Sequence, residues 1–313
     1  MGPGDDQPGM SHAPDPGSDD PLSLHGVVPP TITAFHEDES VDYEATAAHA
    51  EFVEDGGAHG VFPLGTNGEF PLLTGEEKRG VVEAVVDAVD DVPVIAGVGA
   101  PSTYETVSHA EHAESVGADG LVVVTPYYFP LDHEAAVSHY RRVCEAVDVP
   151  VYVYHIPSKT GNSLSLDTVA DLAEIPNLAG LKDSSKDVPW LGQAIDAHPE
   201  LTFLAGSDSL LFPGLEIGCS GMVSAVANAF PELVVSLYDA YDDGDEARAR
   251  ELQSTVYAVR DALKGGSYMA GVKTALDVRN LDFSPGPLRS PLRKMDDSDR
   301  AELESDLRAL ELL

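Results

Sequence analysis

Positive charge is scarce in this chain: 18 Lys+Arg stand against 54 Asp+Glu, for a formal net charge of −36. A surface of that sign repels nucleic-acid backbones and anionic lipid, so neither is an expected partner. Cysteine is almost absent. Cys144 and Cys219 make no disulfide framework in 313 residues, and they read as buried thiols of a reducing, cytoplasmic compartment. Long apolar runs are missing as well. The longest fall under ten residues, well short of the roughly 20 that span a bilayer. The 11 histidines are scattered without a zinc-like cluster, so no metal is expected, nor any other cofactor. His109 and His112, three apart on an expected helix, read as exposed polar residues.

What remains is enough for a large core. With 43% hydrophobic residues and 28 glycines, the chain can fold as one α/β barrel or as two smaller domains. The acidic excess runs through the sequence rather than a tail, and dense apolar periodicity over residues 26–280 argues against disorder. A salt-adapted surface is the better reading, because about 1 M salt shortens the Debye length to about 3 Å and makes self-repulsion tolerable. Residues 1–22 are rich in Pro, Gly and Asp and lack the basic and apolar regions of a secretory signal, so a disordered acidic tail is expected there.

Strand-like runs at 27–33, 60–64, 92–98, 120–125, 149–156, 178–182, 201–205 and 221–226 alternate with helical periodicity at 43–53, 75–89, 103–116, 134–147 and 166–172. Strict alternation implies a parallel sheet with right-handed crossovers. A weak repeat supports it: Gly56-Gly57-Ala58-His59-Gly60, Gly117-Ala118-Asp119-Gly120 and Gly218-Cys219-Ser220-Gly221 each set a helix-ending glycine and a second glycine ahead of a strand. The expected fold is therefore an α/β protein, a (β/α)8 TIM barrel over residues 23–230, with a doubly wound open sheet as the competing arrangement. Helical segments at 231–241, 245–264, 267–276 and 298–310 make residues 231–313 a C-terminal helical region. The proline-rich stretch 283–291 interrupts it.

A barrel of this type carries its active site at the C-terminal ends of its strands. The chain has seven lysines, and one of them, Lys182, closes the apolar run at 178–182. A buried lysine there can be held as a neutral amine, which attacks ketones. Three further groups fall at strand ends or within a strand: Gly65-Thr66-Asn67-Gly68-Glu69, Thr125-Pro126-Tyr127-Tyr128, and Tyr154. Taken singly, each has an ordinary explanation as a tight turn, a packing aromatic or a snorkelling lysine. Together they put an amine, a phenol and an anion-binding loop at one mouth.

This combination resembles the superfamily of dihydrodipicolinate synthase and N-acetylneuraminate lyase, the class I pyruvate-dependent aldolases. The resemblance covers residues 24–292 and rests on the loop at 65–69, Thr125-Pro126-Tyr127-Tyr128, Tyr154-His155-Ile156-Pro157-Ser158-Lys159-Thr160-Gly161, Gly180-Leu181-Lys182-Asp183 and Gly206-Ser207-Asp208. It implies that Lys182 forms an iminium with pyruvate or a 2-keto-3-deoxy acid. Tyr154 would shuttle protons, and Thr66 would link Tyr154 to Tyr128, which reaches a neighbouring subunit's site. The backbone of Thr66 and Asn67 would hold the keto-acid carboxylate, while Ser207 and the Val223 carbonyl line the pocket. A homotetramer is implied too.

Departures from the family pattern bear on the substrate. Asn67 stands where Thr or Ser is usual, and His155 replaces an Asn. Lys159 replaces the arginine with which synthases grip a second carboxylate, and the two cations are not equivalent for bidentate contacts. Tyr127-Tyr128-Phe129-Pro130 is similar to archaeal 2-keto-3-deoxygluconate aldolases, although Leu131 stands where some of these carry a phosphate-binding arginine. The expected activity is reversible cleavage of a 2-keto-3-deoxy sugar acid to pyruvate and an aldehyde. Dihydrodipicolinate synthase, a 2-keto-3-deoxy-acid dehydratase and a non-catalytic sugar-acid sensor are the alternatives.

Overall fold

A computed structural model describes residue 22 and residues 24–313. The expected tail at 1–22 thus lies, but for Leu22, outside the described residues. Seven parallel strands form one sheet: β1 (Gly26–Val27), β2 (Ile95–Gly97), β3 (Gly120–Val124), β4 (Val151–His155), β5 (Leu178–Asp183), β6 (Thr202–Ala205) and β7 (Gly221–Met222), in the order β1-β7-β6-β5-β4-β3-β2. Strands such as Gly-Leu-Val-Val-Val of β3 are buried at every position, as parallel strands covered on both faces require.

The expected strand at 60–64 survives only as a bridge between Val61 and Val94, yet it closes the sheet into a barrel. His59 N donates to Val27 O (2.8 Å) and Phe62 N to Pro29 O (3.0 Å) on one side. On the other, Val61 N donates to Pro93 O (2.9 Å) and Ile95 N to Val61 O (2.8 Å). Prolines at 29, 30, 63 and 93 remove donors from these edges, which is why the expected runs at 27–33 and 60–64 shorten. The run at 221–226 shortens for another reason, because the chain bends into a 3₁₀ turn at Val226–Asn228.

Around the barrel lie α1 (Tyr43–Asp55), α2 (Gly75–Ala88), α3 (Thr103–Ser115), α4 (His133–Cys144), α5 (Pro157–Thr160), α6 (Leu166–Ala173), α7 (Val188–Ala197) and α8 (Leu211–Glu216). Their starts follow capping chemistry, clearest in α2, where Thr74 and Glu77 form a capping box. Helix α7 escapes the periodicity reading but carries an Asp187 cap and a proline in its first turn. The chain ends in α9 (Pro231–Asp242), α10 (Glu246–Ala262), α11 (Tyr268–Arg279) and α12 (Asp297–Ala309). Of these, α11 returns to the mouth: the Tyr268 hydroxyl donates to Asp208 Oδ2 (2.8 Å), and Lys273 reaches Glu69.

Both cysteines are buried and free, and burial pushes each thiol up to about 12, far from reactive thiolate. The reading of His109 as exposed is wrong. It is 7% exposed with Nε2 3.4 Å from Glu105 Oε1, because the α3 face that carries it packs inward beside Lys78. No helix among the described residues is long and apolar enough to cross a membrane.

Candidate active site

Register places the reactive pair. In the β4–β5 ladder Tyr154 stands opposite Lys182 and His155 opposite Asp183, so the alternation of side chains sends phenol and amine to one face and imidazole and carboxylate to the other. Lys182 Nζ lies 3.7 Å from the centroid of the Tyr154 ring and 4.8 Å from that of Phe62. Both Lys182 and Tyr154 are buried. Burial lowers the Lys182 pKa below the ordinary lysine value, against the opposing pull of Tyr154 and Asp208. Burial alone would raise the Tyr154 phenol. The Lys182 charge and hydrogen bonds with Thr66, Ser184 and Lys182 outweigh it and bring its pKa below the usual tyrosine value.

Thr66 Oγ1 and Tyr154 OH are 3.3 Å apart. The loop carrying Thr66 is a tight turn, with Gly68 N on Gly65 O (3.1 Å) and Glu69 N on Thr66 O (3.2 Å), and its ends, Leu64 and Glu69, adopt φ of 60° and 54°. Thr33 Oγ1 donates to Gly68 O (2.7 Å) and fixes the turn from β1's side. Asn67 is buried, and its amide Nδ2 has no hydrogen-bond partner among the described residues. A buried, unsatisfied donor beside the cavity suits an incoming carboxylate.

Behind the pair, His155 Nδ1 is 2.8 Å from Asp183 Oδ1, and Leu164 N donates to His155 Nε2 (3.2 Å). Those two bonds set the tautomer with the proton on Nδ1. Gly206 has no room for a side chain: a Cβ there would lie 2.3 Å from Ser184 Oγ and 2.6 Å from the Asp183 carbonyl.

The cavity over Lys182, about 270 Å³, is lined by Thr66, Asn67, Tyr154, Lys159, Lys182, Ser207 and Val223 among others. Of the residues expected to act here, Tyr128 alone stays outside. It is 86% exposed, at φ 81°, edge-to-face with the exposed Phe129. Tyr127 instead packs its ring edge-on against Phe70. Sequence reasoning missed Lys186, Arg260 and Tyr268 in the lining. Arg260 and Tyr268 come from helices beyond the barrel's last strand, where no motif marks an approach to the mouth. Asp208 closes the Gly206-Ser207-Asp208 motif, but nothing in the sequence marks it as an anchor. Its carboxylate accepts from Ser224 Oγ (2.6 Å), Val226 N (3.2 Å) and Tyr268 OH (2.8 Å).

A parallel α/β barrel with a buried lysine amine and a phenol at its strand ends defines an enzyme of the class I, imine-forming aldolase type. The chain belongs to the dihydrodipicolinate synthetase family, whose model matches residues 23–310, and it is a pyruvate-dependent lyase of that class. It is 73% identical over 304 residues to an uncharacterized DapA-like lyase of Halobacterium salinarum, covering 97% of this chain and 99% of that one. It is 38% identical over 288 residues to the 4-hydroxy-tetrahydrodipicolinate synthase of Natronomonas pharaonis, covering 91% and 97%. A prophage protein of the dihydrodipicolinic acid synthase family from E. coli K12, solved in complex with pyruvate, superposes with a TM-score of 0.89 at 32% identity, covering 93% of this chain and 99% of that one. Of these relatives, the one named for a specific reaction is a synthase. The narrower likeness to 2-keto-3-deoxygluconate aldolases therefore rests on the run from Tyr127 to Pro130 alone.

Proposed function

We propose that this enzyme reversibly cleaves a 2-keto-3-deoxy sugar acid to pyruvate and an aldehyde through an imine on Lys182. The neutral amine adds to the C2 ketone, and the carbinolamine loses water while Tyr154 passes the protons. The resulting iminium accepts the electron pair of the C3–C4 bond as Tyr154 removes the C4 hydroxyl proton. Aldehyde leaves, the enamine is protonated at C3, and water releases pyruvate from Lys182. The Thr66–Asn67 turn holds the keto-acid carboxylate, and Ser207 and the Val223 carbonyl line the pocket.

The observation that carries this reading is the buried Lys182 amine 3.7 Å from the Tyr154 ring centroid. Borohydride reduction with pyruvate present should attach a stable adduct to the Lys182 peptide. Failure to trap it would overturn the reading. Incubation with 2-keto-3-deoxygluconate should then yield pyruvate.

A second reading, synthesis of 4-hydroxy-tetrahydrodipicolinate from pyruvate and aspartate semialdehyde, is favoured by the name of the Natronomonas relative and by Lys159 in the cavity. It shares the iminium and differs in product. Tyr128 and Phe129, 86% and 68% exposed, support association in a homo-oligomer, with Tyr128 completing the relay of a neighbouring copy. Tetramers in light scattering are the expected result.

A further inference from the structure

Tyr128 stands clear of its own cavity because the backbone that carries it is held in an uncommon conformation. Its φ of 81° lies in the left-handed region, which a bulky side chain adopts only where its surroundings impose it. The turn sends adjacent tyrosines opposite ways: Tyr127 packs against Phe70, and Tyr128 is 86% exposed. Residues 126–131 contain no glycine that would make such a turn easy. The restraint has to come from elsewhere.

One buried side chain of another loop supplies it. Asn162 lies between α5 and α6 and is buried. Its Nδ2 donates to Pro126 O (2.8 Å) and to Phe129 O (2.9 Å), and Leu131 N donates to its Oδ1 (2.9 Å). These partners lie on both sides of Tyr128, and they require two donors and one acceptor, which an Asn amide offers and an Asp carboxylate does not. Asn162 is fixed in turn. Gly161 ends α5 at a φ of 76°, and Asn162 N donates to Thr160 Oγ1 (3.3 Å). Because α5 follows closely on β4, the strand of Tyr154, the clamp joins that strand to the loop of Tyr128. At the base of the loop Thr125 N donates to Tyr154 O (3.1 Å).

Resting on the reading that Tyr128 completes the relay of a neighbouring copy, we infer that Asn162 is the positioning residue for Tyr128: its amide holds residues 126–131 in the turn that presents the phenol outward, so each subunit's Asn162 serves its neighbour's imine chemistry. Asn162 touches no substrate and acts through Tyr128. The amine of its own subunit does not depend on it, because the β4–β5 ladder sets Lys182 opposite Tyr154.

The test needs pyruvate alone. In D2O the iminium loses a C3 proton to give the enamine, which takes a deuteron back at C3, so NMR of the pyruvate methyl group reads the proton relay with no second substrate present. Tyr128→Phe should slow this exchange while borohydride still traps pyruvate on Lys182. Asn162→Asp keeps the shape and the acceptor for Leu131 but loses both donors. It should slow exchange by about tenfold to a hundredfold, the cost of a group misplaced by about 1 Å, with the trapped adduct and the KM for pyruvate unchanged. The double variant should be no slower than Tyr128→Phe alone, since both changes remove one group's contribution. Co-assembling Asn162→Asp chains with Lys182→Ala chains should restore exchange, because the Lys182→Ala subunit lends a correctly held Tyr128 to an intact lysine. Damage confined to the Asn162→Asp subunit's own site would not be relieved in this way. If Asn162→Asp does not fold, Asn162→Ala is carried through the same measurements. Normal exchange in the folded Asn162 variant overturns the inference, as do losses that multiply in the double variant or co-assembly without recovery. Normal exchange in Tyr128→Phe overturns the relay reading and this inference together, whereas a slow Tyr128→Phe beside an unimpaired Asn162 variant overturns this inference alone.

Discussion

Lys273 Nζ lies 2.9 Å from Glu69 Oε1, with the two side chains 5% and 0% exposed. Lys273 aims its hydrogen bond at the Pro287 carbonyl (2.8 Å), while Arg289 N donates to the other Glu69 oxygen (3.0 Å). The last residue of the Thr66–Glu69 turn is therefore tied to α11 and to the proline-rich loop, and the C-terminal region holds the turn in shape. Burial pushes Glu69 up and Lys273 down despite their pairing, so both shifts record the cost of keeping charge out of water.

Removing one partner strands the other. Lys273→Met should cost about 3–5 kcal/mol of stability and raise the KM for pyruvate through the loosened turn. Glu69→Gln combined with Lys273→Met should regain part of that loss. Denaturation midpoints in molar KCl, with KM measured on the same samples, check both; a single variant as stable as the unaltered protein would show that the pair does not hold the turn.

Lys182 and Tyr154 should fail differently. Lys182→Ala should abolish the trapped adduct. Tyr154→Phe should keep the amine but lose the proposed proton shuttle, so turnover should drop about 10²–10⁴-fold while an adduct still forms, more slowly. Because the Lys182 pKa is lowered by burial, the rate of imine formation should rise with pH to a midpoint below 10.5, the ordinary lysine value. A midpoint at or above that value would contradict a desolvated amine.

How legible was this in the sequence? Strand positions were readable from apolar runs between glycine-marked turns, and so was the placement of Lys182, Tyr154 and Thr66 around one mouth. Periodicity could not show that Pro29, Pro30, Pro63 and Pro93 would trim two strands of the barrel to a two-residue strand and a bridge. It also could not show which C-terminal helix would cross the mouth, since Tyr268, Lys273 and Arg260 acquire their meaning only through partners 60 or more residues away in the chain or through a shared cavity. His109 was misread because a helix face rich in Ala and His gives a weak amphipathic signal.

Two buried histidines set an acid limit on the fold. His49 bonds Asn228 O through Nε2 (3.0 Å) and His139 meets Thr103 Oγ1 through Nδ1 (2.9 Å), while each ring's second nitrogen is buried without a partner among the described residues. Burial lowers both from 6.5 to about 4. Between those values the unfolded chain binds more protons than the fold, so the stability from neutral rings is fully present above about pH 6.5 and is lost as pH falls toward 4. Each ring contributes up to about 3 kcal/mol to that loss. Denaturation in high salt across this window should show the slope, and His139→Gln should flatten it. A stability independent of pH there would rule the assignment out.

The acidic surface yields the broadest prediction, that the fold depends on salt. At a formal charge of −36, self-repulsion acts over a Debye length of about 30 Å at 0.01 M salt but only about 3 Å at 1 M. The thermal midpoint should therefore fall steeply as KCl is removed, and NaCl should restore it as well as KCl does, since screening depends on ionic strength. A local version separates screening from general salting-out. On α12, Glu302 and Asp306 are both exposed and one helical turn apart, a like-charge pair that is destabilising where salt is low. Asp306→Lys turns it into an attraction with Glu on the N-terminal side, which should stabilise the protein by a few tenths of a kcal/mol at low salt and by almost nothing at 1 M. If the gain were the same at both ionic strengths, repulsion would not be what salt relieves. If the unaltered protein kept its full midpoint in low-salt buffer, the surface would have no need of salt at all.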